Sequence, residues 1–172
     1  GPRSAGACTV HGTLAVWASG HDVGGWRGDV WSLDLVNPSS AWNTLPSLLT
    51  PRVYHAMASV NAFLYVFSGY YNHAPITSVE VLDMSNPSAG WSSTSSALPK
   101  DRQRSTAVVA NGMVYLVGGL SSLTGDRNNR YFFNDYVSAA ATASISSWVA
   151  GTINYAPRKY NAGAFTWGGD YG

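Results

Sequence analysis

The side chains able to support acid–base, metal or nucleophilic chemistry are few in this chain. Its four histidines, His11, His21, His55 and His73, stand at no i, i+2 or i, i+4 spacing, the spacings that would put two imidazoles on one side of a strand or helix. Cys8 is the only thiol, so an internal disulfide and a cysteine-based zinc cluster are both excluded. It lies in an apolar run and reads as a small buried residue. Gly24-Gly25 lacks the Lys-Ser/Thr that a phosphate loop needs. Asp34 and Asp83 occur in near-identical contexts, which suggests hydrogen bonding at strand ends; a catalytic pair of carboxylates would occur once and not be copied. No catalytic residue, metal site or cofactor is expected.

The groups better suited to recognition fall in three short polar and aromatic segments. Residues 20–28 (GHDVGGWRG) supply His21, Asp22, Trp26 and Arg27. Residues 70–77 (YYNHAPIT) supply Tyr70, Tyr71 and His73, and residues 121–129 (SSLTGDRNN) supply Asp126 and Arg127. Aromatic area beside mixed polar groups suits a protein or glycan partner. Arg27-Gly28-Asp29 also spells an adhesion tripeptide, but Asp29 leads directly into an apolar run, which argues against a mobile loop tip.

These segments need a scaffold, and the composition says of what kind. Aromatics make up 13% of the 172 residues and charged groups 11%, well below the roughly 25% charged residues of ordinary domains. Such a chain has ample apolar surface to bury, which argues against disorder. Net charge is +1 with no basic cluster, so nucleic acid is an unlikely partner class. No apolar run approaches the roughly 20 residues of a membrane-spanning helix, so membrane insertion is not expected. Short apolar segments punctuated by Gly, Asn and Pro predict an all-β protein. Scarce lysine and abundant Ser, Gly and Ala lean toward an extracellular setting.

An internal repeat organises the chain. LDLVNPSSAW, ending at Trp42, and LDMSNPSAGW, ending at Trp91, share six of ten residues and lie 49 apart. The segment 52–69 aligns without gaps on 102–119, and 3–20 aligns with minor slippage. Trp148 and Pro157-Arg158-Lys159-Tyr160 continue the series. Each unit predicts four strands. In the second, runs over 53–60 and 63–67 are joined by Asn61-Ala62, a third covers 78–84, and a short fourth opens at Trp91. Asn111-Gly112 at the equivalent joint of the third unit is a strong hairpin signal. Residues 138–147 give only weak strand signals. The loops between second and third strands then emerge on one side, together with the links between units.

An arginine, an apolar strand, a hairpin, an apolar strand ending in Gly-Gly and a later Trp together resemble the kelch repeat. The Gly doublet is intact only at Gly118-Gly119; Ser19-Gly20 and Ser68-Gly69 depart from it, and Leu33 and Leu82 stand where the family usually has Tyr. The resemblance implies a kelch-type β-propeller of about three four-stranded blades plus the start of a fourth, in units near 2–50, 51–100, 101–156 and 157–172. These do not close a ring, so the chain is read as part of a longer propeller or as one completed by another chain. Trp42, Trp91 and Trp148 are expected to pack between blades, Trp17 and Phe67 to be core, and Arg3, Arg52, Arg102 and Arg158 to bond to loops of a neighbouring blade. The favoured function is a noncatalytic binding or assembly module. A copper radical oxidase or sugar isomerase of kelch architecture, and a structural part of an extracellular filament or coat, are the alternatives.

Overall fold

The computed structural model describes residues 2–121 and 131–152; Asp126, Arg127 and Arg158 lie outside them. The architecture of the described residues is all-β, with antiparallel pairing in each of their sheets and no α-helix among them. Among the described residues no helix is long and apolar enough to cross a membrane, which leaves strands unaddressed.

Three four-stranded meanders follow one another. The first comprises β1 (Ala7–His11), β2 (Leu14–Asp22), β3 (Gly25–Asp34) and β4 (Asn43–Leu45). In the second, β5 (Ala56–Val60) and β6 (Phe63–Phe67) precede a small hairpin of β7 (Tyr70–Tyr71) and β8 (Ala74–Pro75). The main sheet resumes with β9 (Val79–Asp83), and after a 3-10 turn at Pro87–Ala89 ends in β10 (Ser92–Ser93). The third repeats the plan: β11 (Thr106–Ala110), β12 (Met113–Val117), a minor pair β13 (Leu120–Ser121) and β14 (Tyr131–Phe132), then β15 (Asp135–Ala140) and β16 (Val149–Thr152). Among the described residues no sheet closes on itself.

Turn chemistry sets the first hairpin of each meander. Asn111 and Gly112 both take positive φ, the conformation a two-residue hairpin favours. Asp34 accepts the amide of Val36 at 3.0 Å, and Asp83 accepts that of Ser85 at 2.8 Å. The repeated aspartates thus tie the turn after the third strand. The segment 20–28 is less of a loop than its sequence suggests. β2 continues to Asp22 and β3 begins at Gly25, leaving Val23-Gly24 as the tip.

The sheets stack face to face. Val16, Ala18 and Val30 of the first sheet meet Met57, Leu64, Val66 and Leu82 of the second. The opposite face of the second sheet offers Ala58, Tyr65, Phe67, Val79 and Val81 to Val114, Leu116, Val137 and Ala139 of the third. β6 is therefore apolar on both sides, as a strand buried on both faces must be, while β9 interrupts that pattern with the buried Glu80. Trp91 seals the first junction, its indole N–H donating to Pro46 O at 2.8 Å. Trp148 packs on the second and meets Phe67 edge-on.

Three apolar expectations fail on the outward face of the first sheet. Cys8 is exposed and Trp17 only half-buried. Trp42, expected between sheets, is 51% exposed and forms a shallow cleft with Trp17 and Trp31. Among the described residues nothing stands in front of this face, and side chains whose counterparts are core in the second sheet are exposed or half-buried here.

Candidate functional site

Among the described residues, the guanidinium of each arginine that opens a unit, Arg3, Arg52 and Arg102, is held within its own unit, and not by a neighbour's loops as its sequence context suggests. Arg52 is fully buried; it donates to Ser68 O at 3.0 Å and Ser78 O at 3.1 Å and pairs with Glu80. Glu80 also accepts the amides of Leu49 and Thr50 at 2.7 and 3.0 Å, so the buried carboxylate is saturated. Arg102 bonds Gly118 O and Asp135 and stacks on Phe133. Arg3 pairs with Asp29 and stacks on Trp31. These cations are scaffold.

Beyond each arginine the chain bridges to the residue that starts the outer hairpin: Ser4 to His21, Val53 to Tyr70, Gln103 to Leu120. The glycine between strand and hairpin permits this approach. Gly69 has φ +108, and a Cβ there would sit 2.7 Å from Val53 O; Gly20 and Gly119 repeat the geometry. Ser19 and Ser68, at the first place of the doublet, also take positive φ. Their hydroxyls offset that strain by clasping the next unit. Ser19 Oγ accepts the Arg52 amide at 2.9 Å, and Ser68 Oγ accepts the Arg102 amide at 2.7 Å. The departure from Gly-Gly is thus an inter-sheet contact.

The outer hairpins of the first two units converge. His21 and Trp26 face each other across β2 and β3, with ring centroids 5.7 Å apart and planes at 89°. From the second unit, Tyr71 and His73 reach the same indole at 5.9 and 5.1 Å, also near perpendicular. Edge-to-face contacts at these separations are attractive. Four of the sequence-predicted residues thus form one aromatic cluster from hairpins some fifty residues apart.

The remaining described candidates, Asp22, Arg27 and Tyr70, support it. Asp22 accepts the Gly24 amide and the Arg27 guanidinium, each at 2.8 Å, which fixes the turn beneath Trp26. The Arg27 hydrogen bond is the main cause holding the Asp22 carboxyl below its usual range. Arg27 is therefore engaged within the hairpin. Asp29 is held low by Arg3, and the tripeptide lies in β3 with both charges paired. Tyr70 is half-buried at the hairpin base, bridged to Val53. At the tip, Asn72 and His73 both take positive φ, +46° and +64°. For histidine that conformation is strained on the order of 1 kcal/mol or more. It sets an exposed imidazole against Trp26.

The residues sequence reading missed are buried polar ones. His55 is enclosed, with neither ring nitrogen hydrogen-bonded; burial foremost, then the nearby Arg52 charge, depress its pKa to about 3. Glu80 was visible only as the polar half of an alternating strand. No protein-family model matches the chain, and no curated protein is significantly similar to it.

Proposed function

We propose that the three stacked meanders are consecutive blades of a kelch-type propeller, and that the chain is a noncatalytic module binding a protein or glycan partner through its outer hairpins. Supporting the blade reading are the repeated strand order, the Trp91 and Trp148 seals and the equivalent bridges at Ser4, Val53 and Gln103. The binding reading is carried by one observation: Trp26 is contacted by His21, Tyr71 and His73 from two hairpins, one of them with a strained turn. An indole flanked by imidazoles and a phenol offers an apolar surface ringed with hydrogen-bonding groups. That combination suits a sugar ring, whose C–H faces stack on aromatics while its hydroxyls seek polar partners.

The test is a printed array of neutral and acidic oligosaccharides probed with the chain and with Trp26→Ala. Selective binding that weakens at least tenfold in Trp26→Ala supports a glycan site at this cluster, the loss corresponding to about 1.4 kcal/mol. Binding indifferent to Trp26→Ala and to His73→Gly would contradict it. No binding to any sugar would turn the assignment toward a protein partner.

A further inference from the structure

One backbone feature recurs in all three units while its side chain does not. Ala5, Tyr54 and Arg104 directly follow the bridging residues Ser4, Val53 and Gln103, and their φ angles are +59°, +57° and +55°. The stack uses the backbone of this row: Tyr54 N–H donates to Ala5 O at 2.9 Å and Arg104 N–H to Tyr54 O at 2.8 Å. Glycine takes such a conformation freely, whereas a bulky residue holds it only under strain. The row nevertheless carries a methyl, a phenol and a guanidinium in turn. A side chain that changes from copy to copy, against the preference of its backbone, is not there to build the repeat.

Arg104 also stands apart from the other arginines of the described residues. Arg3, Arg27, Arg52 and Arg102 each pair with a carboxylate. The Arg104 guanidinium lies over the Tyr54 ring, 4.2 Å from its centroid, and both residues are half-buried. Neither that guanidinium nor the Tyr54 hydroxyl has a hydrogen-bond partner among the described residues. The stack restrains the long side chain and leaves its N–H donors unused. The carboxylates nearby are engaged elsewhere, Asp22, Asp29, Glu80 and Asp135 with the other arginines. Asp101 is buried and accepts the Ser121 hydroxyl at 2.7 Å. A restrained cation without a counter-ion, beside a phenol hydroxyl, is matched to a carboxylate, whose two oxygens fit the guanidinium fork.

The row borders the outer hairpins. Ser4 bridges to His21, and Val53 bridges to Tyr70, the neighbour of the Tyr71 that meets Trp26. Arg104 and the Trp26 cluster therefore lie along one rim of the stack. Within the cluster Arg27 is engaged by Asp22, so the free cation of this rim is Arg104. We infer that the sugar held at Trp26 is acidic: an oligosaccharide bearing uronic acid, whose carboxylate is taken by the Arg104 guanidinium and the Tyr54 hydroxyl. This rests on the sugar reading of the Trp26 cluster and adds to it the charge of the ligand. The aromatic rings hold the sugar's C–H faces, and Arg104 selects acidic chains over neutral ones.

The test is the affinity of the whole chain for matched pairs of ligands, each an oligosaccharide bearing uronic acid and its carboxyl-reduced, neutral counterpart. The acidic member is expected to bind about tenfold more tightly. Arg104→Gln should remove that preference and leave the affinity for the neutral member unchanged, whereas Trp26→Ala should weaken both members about tenfold. Arg104→Lys keeps the charge but loses the fork, and should lower the preference roughly threefold; it decides the matter if Arg104→Gln does not fold. Equal binding of the two members by the native chain overturns the inference. So does an acidic preference that survives the Arg104 variants, and both results leave the Trp26 reading intact. Equal weakening of both members in Arg104→Gln gives Arg104 a structural role and overturns it too. If no pair binds, the sugar reading of Trp26 fails and this inference fails with it.

Discussion

The first and second sheets present the same three register positions to opposite fates. In the second, Val66, Glu80 and Trp91 are enclosed by the sheet before them, and Trp91 is 5% exposed. In the first, Trp17, Trp31 and Trp42 face outward, and Trp42 is 51% exposed. The more hydrophobic set is the more exposed one. Burial in a stacked repeat is set by whether a neighbour is present, because each sheet hides its faces only against the next. Residue type says which face is meant to be covered; the stack decides whether it is.

The largest effect should come from truncating the shared tryptophan. Trp91→Ala removes a seal from a packed junction and is expected to cost about 3–5 kcal/mol. Trp42→Ala, measured by denaturant unfolding where the chain is monomeric, is expected to stay within about 0.5 kcal/mol. Equal losses would mean that the outward face is covered after all.

A smaller effect separates the two internal junctions. His55 lies in the first; Ser105 holds the matching place in the second. His55 is neutral when folded, with a pKa of about 3 against 6.5 for the free side chain. As pH falls below 6.5 the unfolded chain binds a proton that the folded chain does not. Stability from this group is complete above that pH and is lost progressively toward pH 3. The slope approaches about 1.4 kcal/mol per pH unit. Between pH 6.5 and about 4.5, above the usual carboxylate range, this loss should vanish in His55→Ser. A slope unchanged in that variant would mean that His55 finds a partner on protonation.

Much of this arrangement was legible in the sequence because it is periodic. Trp91 and Trp148 pack where their recurrence places them, Phe67 is core, and Asp34 and Asp83 cap turns. The convergence of residues 20–28 with 70–77 follows from up-and-down topology, which brings equivalent loops to one side. What periodicity could not reveal is what differs between copies. Cys8 and Trp17 match buried residues in the second sheet, Met57 and Val66, and differ only in that no described residue covers them. Ser19 and Ser68 looked like lapses from Gly-Gly because their acceptor role depends on the next unit's amide. Glu80 and Ser78 answer Arg52 where Asp29 and Asp135 answer the other arginines, an exchange across two strand positions that no single alignment column displays.

The face-to-face stacking of consecutive sheets is tested most directly by amide hydrogen exchange at Tyr54 and Arg104. Their N–H groups lie outside every strand ladder and are satisfied only by carbonyls of the preceding unit, at 2.9 and 2.8 Å. Exchange as slow as that of the β5 and β6 amides is expected at both. Exchange at both sites as fast as in an unstructured peptide would contradict the stack, and with it the site built on its rim.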